Sequence, residues 1–379
     1  MFSLNWLLRG STPSLSGSSW VGPIGMELAQ EEIRMVQLRK TQQGGISLVA
    51  RSKLPYSGSR QEVFASPGRV RKLVRAALKS GSFSGKRVVT ALPPEEVKII
   101  PLSYPNSSKG DEQTILELVA ARIDGKLEDF MIDYLPIRAN PGDEDRLTLV
   151  AMARKQHVVE LLNLLDRAGL EVMALDIGPA AIKRLFSSLP GASGEETVLV
   201  INSGREVSYL TMVSGRRLLL DQQVEFGEEP LLQHLCKALD IGKPLARKLL
   251  LENGFDGTDP PAGESLSIVG GQVSETLREI FKPLFLRLIE EINRVLIFSA
   301  SETRGNPVAR IYLLGSIASW RGADELLGSL LDIPVIPMGE SLRALEQPVT
   351  DEQGGRVEGI RPEMVIATGL ALRGMEPDA

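Results

Sequence analysis

The chain reads as an α/β protein of two related lobes with a small α+β insert in the first, and three observations point there. A meander of three short apolar runs broken by turn residues, IGMELAQEEIRMVQLRKTQQGGISLVARSKL, begins just after Pro23. A second meander, VLVINSG, VSYLTMV and RLLLDQQVEFG, begins at Thr197. Both run strand, turn, strand, turn, strand into a helix, which is the mark of a structural duplication too faint to survive as a sequence repeat. The third observation is size: 379 residues exceed what one hydrophobic core usually supports.

Each element follows from local pattern. Ser66-Pro67 opens a helix whose apolar residues Val70, Leu73, Val74, Ala77 and Leu78 recur at helical spacing up to Gly81. Its other face carries Arg69, Arg71, Lys72, Arg75 and Lys79, a solvated face that could also meet acidic lipid or an acidic partner. VVTALP and VKIIPL, either side of a proline turn, read as strands that finish the first sheet. Residues 111–121 read as a helix, 130–137 and 147–153 as paired strands, 155–168 as a helix and 170–175 as a strand, together a compact insert. A helix over 179–189 returns the chain to the first lobe.

In the second lobe a helical stretch is expected over 228–255, then a Gly/Pro-rich loop at 256–263 and a long helix over 274–304 that Pro283 should kink or divide. Leu284, Leu288, Ile292, Val295 and Ser299 give that helix a mostly apolar stripe, the pattern of core packing rather than of a cofactor site. RIYLLGS and IPVIPM read as strands with a helix over 322–331 between them, and residues 362–373 as a closing helix. The division expected is a flexible segment 1–20, a first subdomain 21–105, an insert 106–176, a return helix 177–196 and a second lobe 197–374. That last span includes a separate piece at about 240–275 and elements that close the first lobe.

Composition excludes several functions. Hydrophobic residues at 43% and charged residues at 24% are those of a folded globular protein. A net charge of −5 gives no global attraction for nucleic acid. Cys236 is the only cysteine and His157 and His234 the only histidines, so neither a disulfide, a cysteine-zinc site nor a Ser-His-Asp arrangement is expected, and a reducing compartment is. No metal-ligand set emerges. The opening MFSLNWLLRG lacks the charged start and long apolar core of a signal peptide and is expected to stay attached. It reads as a disordered lead-in, or as a cluster of Phe2, Leu4, Trp6, Leu7 and Leu8 able to dip into a membrane interface.

The ordered segments VVTALPPEEVKIIPL, LVAMARKQHVVELLNLLDRAGLEVMALDIGPAAIKRLF, LVINSG, FKPLFLRLIEEINRVLIFSA, IYLLGS and IATGLALRG, in this order and spacing, resemble the PilM family of type IV pilus assembly proteins. The resemblance spans most of residues 23–374 and implies a two-lobed actin-like, ribonuclease H-like fold shared with sugar kinases and FtsA. It also implies ATP held between glycine-rich hairpins of the two lobes, whose backbone N–H groups meet phosphates and whose aspartates organise magnesium.

The matching positions here are Gly25, Glu27, Asn202, Gly204, Gly227, Gly315 and Ser316, a degenerate candidate nucleotide pocket. The family's IGIDIGSSSVK has become IGMELAQEEIR, with Glu27 for aspartate and Ala29, Gln30 and Glu31 for glycine-serine-serine. A carboxylate such as Glu31 about 4 Å from a phosphate would cost roughly 4 kcal/mol, against the roughly 8 kcal/mol that binds a micromolar ligand. The second hairpin's aspartate is Asn202, an amide that brings no charge to magnesium. The family's ribose-side glutamate and lysine are Arg247, after Ala246, and Leu250. Gly315-Ser316 in place of Gly-Gly is the mild change.

These departures make an enzyme unexpected: no catalytic residue is assigned, and no cofactor is expected, although ATP is the one the fold could take. The resemblance implies a cytoplasmic scaffold, peripheral to the inner membrane, whose partners are the cytoplasmic tail of a PilN-like membrane protein and other pilus platform proteins. The tail would lie in a groove between the first subdomain and its insert, around residues 88–102 and 111–176. An actin-like ATPase or kinase with a divergent site is the alternative. A filament-forming FtsA-like role is weaker, because the last residues, GMEPDA, form no amphipathic targeting helix.

Overall fold

The structure, a computed structural model, describes residues 20–40, 45–106, 110–138, 145–188, 196–255, 267–303, 305–338 and 361–375. The N-terminal aromatic cluster and the Gly/Pro-rich loop at 256–263 lie outside them. The chain forms two compact units.

In the first unit β1 (Trp20–Leu28), β2 (Glu32–Lys40) and β3 (Ile46–Pro55) form the expected antiparallel meander. A short helix α1 (Arg60–Phe64) follows, started by a capping box in which Ser59 and Glu62 satisfy each other's backbone N–H groups. Next comes α2 (Pro67–Ser80), whose Val70, Leu73, Val74 and Ala77 are buried. β4 (Arg87–Ala91) lies parallel to β1.

The chain then leaves the sheet through β5 (Val97–Pro105), α3 (Asp111–Ala120), β6 (Phe130–Arg138), β7 (Asp145–Arg154) and α4 (Lys155–Ala168). It returns as β8 (Glu171–Asp176), parallel to β4, and α5 (Gly178–Ser188). The sheet order is β3-β2-β1-β4-β8, with a separate three-stranded sheet β5-β7-β6. Two expectations are thereby corrected. VKIIPL does not finish the first sheet but pairs antiparallel with β7, and the strand after α4 does not belong to the insert but closes the first sheet. Both are short apolar runs whose composition is silent on the partner. Each is the edge strand of its sheet, and only the long-range pairing separates them, β8 with β4 and β5 with β7.

A last helix, α10 in chain order (Val365–Arg373), is buried almost all round between β1 and α5. Its IATGLALRG run serves that position. A Cβ at Gly369 would collide with the carbonyl of Ala181 on α5, and one at Gly25 on β1 with the backbone of Ala367 and Ala371.

The second unit repeats the plan. β9 (Thr197–Ser203), β10 (Ser208–Ser214) and β11 (Arg217–Val224) are followed by α6 (Glu228–Leu239), α7 (Lys243–Asn253), α8 (Ser267–Glu302), β12 (Val308–Gly315), α9 (Ala323–Leu331) and β13 (Val335–Pro337). The sheet order β11-β10-β9-β12-β13, with β12 parallel to β9 and β13 parallel to β12, matches that of the first unit. The helical stretch expected over 228–255 breaks at Asp240, which takes a left-handed conformation with φ 53°. Pro283 does not divide α8, which continues through it. Leu288, Ile292, Val295 and Ser299 of the expected stripe are buried, and Phe281 and Phe285 on the same helix pack with Phe255 and Trp320. Among the described residues no helix is long and apolar enough to cross a membrane.

Candidate functional site

Gly25 and Glu27 lie on β1. The Gly25 position is explained by the closing helix packed against it, since any side chain there would strike α10. Glu27 stands opposite Arg34 across the hairpin. The Arg34 guanidinium is 3.3 Å from the Glu27 carboxylate, bonds Glu32 at 2.7 Å through Nε, and donates to the Glu363 carbonyl at 3.0 Å. Lys53 on β3 approaches Glu363 at 3.3 Å and Glu32 at 3.5 Å. Burial pushes the Glu27 carboxyl up, and Arg34 pulls it partly back. The turn itself is held from behind by Tyr56, whose N–H donates to the Glu31 carbonyl at 2.8 Å and whose hydroxyl donates to the Ala29 carbonyl at 2.9 Å. Glu31 is exposed. The partner of Glu27 was missed in the sequence, although fixing the turn at residues 29–32 sets a register that pairs 27 with 34.

In the second unit the remaining candidates gather at the end of β9. Asn202 pairs with Tyr209 on β10 and Leu314 on β12. The Gly204 N–H donates to the Val207 carbonyl at 3.0 Å, while the carbonyls of Gly204 and Arg205 accept from the N–H groups of Glu228 and Glu229 at 3.1 and 2.8 Å. Gly227, the residue before α6, abuts the backbone of Arg205 and Glu206. Gly315 ends β12 with φ +81°, pressed on the Ser203 carbonyl, where both backbone hand and space require glycine. The Ser316 N–H donates to the same carbonyl at 3.2 Å. The Ser203 hydroxyl completes the join, donating to the Leu314 carbonyl at 2.8 Å and accepting from the Ile317 N–H at 3.0 Å.

Two carboxylates open α6. Glu229 is bonded by Lys243, which with Gln233 at 3.1 Å holds its carboxyl below the ordinary range, and Arg205 lies 3.7 Å away. Glu228 pairs with Arg247 at 2.9 Å. Ala246 and Leu250 are fully buried, so Leu250 is a core residue.

The resemblance implies a magnesium-bound adenine nucleotide, and the residues at these two hairpins do not fit its phosphates. Glu27 already has a guanidinium against its carboxylate, the N–H groups of Gly204 and Ser316 are engaged within the unit, and α6 begins with two acids. One group stands the other way. Ser316 Oγ is buried with no hydrogen-bond partner among the described residues, the state of a group awaiting a ligand or a water.

A different surface takes shape in the insert. Residues directly opposite in an antiparallel ladder share a face. Leu102, Tyr104, Val150 and Met152 turn to α3 with Ile115 and Val119 and form the insert's own core. The opposite face carries Val97, Ile99 and Pro101 of β5, Leu149, Ala151 and Ala153 of β7, and Met131, Asp133 and Leu135 of β6. It meets the first unit at Ile177 and Ala180, which pack with Ala151 and the half-buried Val97 and Ile99. Leu135 stays 37% exposed and Pro101 is exposed, so that apolar face is only partly covered. At its base Asp176 is 3.0 Å from Arg184 and from Arg373, tying β8 to α5 and α10. Burial pushes the carboxyl of Asp133 up.

Two units, each a five-stranded sheet in which an antiparallel meander precedes two parallel strands, and a three-stranded insert in the first, define the actin-like class of α/β proteins. Within that class the chain belongs to the family of the type IV pilus assembly protein PilM, which it matches over residues 25–255. Among solved structures it is similar to a chain of a PilM-PilN type IV pilus biogenesis complex, at 21% identity and a TM-score of 0.67, covering 94% of this chain and 99% of that one. It is also similar to the ethanolamine utilization protein EutJ from Carboxydothermus hydrogenoformans, at 14% identity and a TM-score of 0.51, covering 94% and 90%. These are likenesses of fold.

Proposed function

We propose that the chain is a scaffold of a type IV pilus or related secretion assembly at the cytoplasmic face of the inner membrane, and that it binds the cytoplasmic tail of a PilN-like membrane protein. The observation that carries this reading is the partly covered apolar face of the β5-β7-β6 sheet, where Ile99, Pro101 and Leu135 flank the junction with Ile177 and Ala180. An extended segment that becomes ordered there loses conformational entropy, so a few apolar anchors should carry its affinity and salt should weaken it only modestly. Family membership and the PilM-PilN complex among the similar structures support the choice of partner. The division of the chain into a first subdomain, an insert running from β5 through α4 and a second lobe belongs to the same proposal.

The test is a titration of the tail peptide of a PilN-like protein, followed by hydrogen exchange. Protection is expected at residues 88–102 and 111–176. Protection centred on Gly25, Gly204 and Gly315 instead would move the site to the hairpins and end this reading. The nucleotide site is proposed to be that of a pseudo-ATPase. A second reading, weak adenine-nucleotide binding without turnover, is favoured by the unpartnered Ser316 Oγ.

A further inference from the structure

The chain carries a net charge of −5, yet its most lopsided element is basic. Over Pro67–Ser80, α2 holds five cations and no acid. Its apolar face is closed against the first core through Val70, Leu73, Val74 and Ala77. On the helical wheel Arg71, Arg75, Lys79, Lys72 and Arg69 fill the arc opposite, and all five are exposed. Arg71 is engaged, its Nε and Nη2 donating to the Arg167 carbonyl at the end of α4 at 3.0 and 2.6 Å. The other four pair with no carboxylate among the described residues. Arg71, Arg75 and Lys79 stand at successive i, i+4 positions, and Arg69, Lys72 and Arg75 at i, i+3, so the folded helix holds like charges side by side, an arrangement that opposes folding and that a polyanionic surface relieves.

We propose that this face of α2 docks on an anionic phospholipid surface. The charges lie on one side of a helix whose opposite side is anchored in the fold, the geometry for lying against a plane. The other exposed residues of the helix are Pro67, Gly68, Ala76 and Ser80, which offer no aromatic ring for base stacking. Each basic side chain brought to an anionic leaflet is worth about fivefold in partition, so three of them together give about a hundredfold. The attraction fades with salt as the Debye length shrinks.

The experiment is co-sedimentation of the full chain with vesicles of phosphatidylcholine alone and of phosphatidylcholine mixed with phosphatidylglycerol, at low and physiological salt. The expected result is binding to the mixed vesicles only, weakened by salt and reduced about a hundredfold or more in the Lys72→Glu/Arg75→Glu/Lys79→Glu variant. Thermal melting of the variant should match or exceed that of the parent, because these side chains are exposed and unpaired and the change removes the like-charge crowding. Should the reversal variant fail to fold, Lys72→Gln/Arg75→Gln/Lys79→Gln removes the charge without adding acids and should lose about a hundredfold. Equal binding to both vesicle types, or full binding by either folded variant, overturns the proposal. So does tighter binding of poly-glutamate or duplex DNA that displaces the vesicles, an outcome that would assign the face to an acidic protein or to nucleic acid.

Discussion

Asp221 on β11 accepts a hydrogen bond from the Thr211 hydroxyl at 2.6 Å, and burial pushes its carboxyl from an ordinary 3.8 up to about 6. Burial therefore outweighs the one bond that favours the ionised form. Between about pH 4 and pH 6 the native protein keeps a proton that the unfolded chain has released, so this group's contribution to stability falls as pH rises through the window. Asp221→Asn keeps an acceptor for Thr211 and has no charge to bury. It is expected to be more stable than the parent at pH 7 by about 1–2 kcal/mol, after discounting for the side chain's partial exposure, and to lose that part of the pH slope. Urea unfolding of both proteins at several pH values between 4 and 7 measures it, and parallel slopes would count against the account. The sequence shows an aspartate in an apolar strand here but not how deeply its carboxyl sits. Gly25 was legible as a glycine required by backbone geometry, and the structure supplies the neighbour that requires it, helix α10.

The β1–β2 hairpin sets Arg34 against Glu27 through its register, and that pair carries the next prediction. Arg34→Met would leave Glu27 in a desolvated position with its cation gone, and removal of one member of a mostly buried pair is strongly destabilising. With some exposure remaining at both side chains, the expected loss is about 2 kcal/mol at neutral pH. The sign with pH is fixed. Without Arg34 the folded-state pKa of Glu27 stands further above its unfolded value of 4.5, so the variant should recover stability as pH falls and lose it as pH rises. A second change, Glu27→Gln, should restore most of the loss in the Arg34→Met background. Denaturant unfolding of the four proteins closes the cycle, and an additive double variant would show that the pair does not interact.

At this same scale the meanders, the amphipathic helices and the insert's paired strands were legible, because alternation and helical spacing are local. Sheet membership was not, since β5 and β8 are equally apolar and only long-range pairing assigns them. Helix α1 was hidden in five residues, detectable only by its Ser59–Glu62 capping box. The break at Asp240 needed a left-handed aspartate, and Pro283 is tolerated on an exposed face, where a lost backbone bond can be made to water.

Across the whole chain, two sheets of the same strand order come from segments with little common sequence, so the duplication was readable as pattern and not as repeat. The family resemblance implies a nucleotide held by hairpins of both units, and the prediction at this scale is that the purified protein releases no phosphate from ATP beyond the uncatalysed rate. The first unit offers Glu27 already paired with Arg34 and a turn of Ala29, Gln30 and an exposed Glu31. The second offers the amide of Asn202 where a carboxylate would organise magnesium, and an α6 whose first turn is acidic. Defects in separate units make a sharp test, because repairing one should do nothing. Asn202→Asp restores the carboxylate in the second unit and is expected to remain inactive while the first hairpin stays as it is. Phosphate release with magnesium and ATP, measured for the parent, Asn202→Asp and Asn202→Ala, decides the matter. Turnover in the parent that Asn202→Ala abolishes would show a working site, and turnover appearing in Asn202→Asp alone would show that the first hairpin can still cradle phosphate despite Arg34.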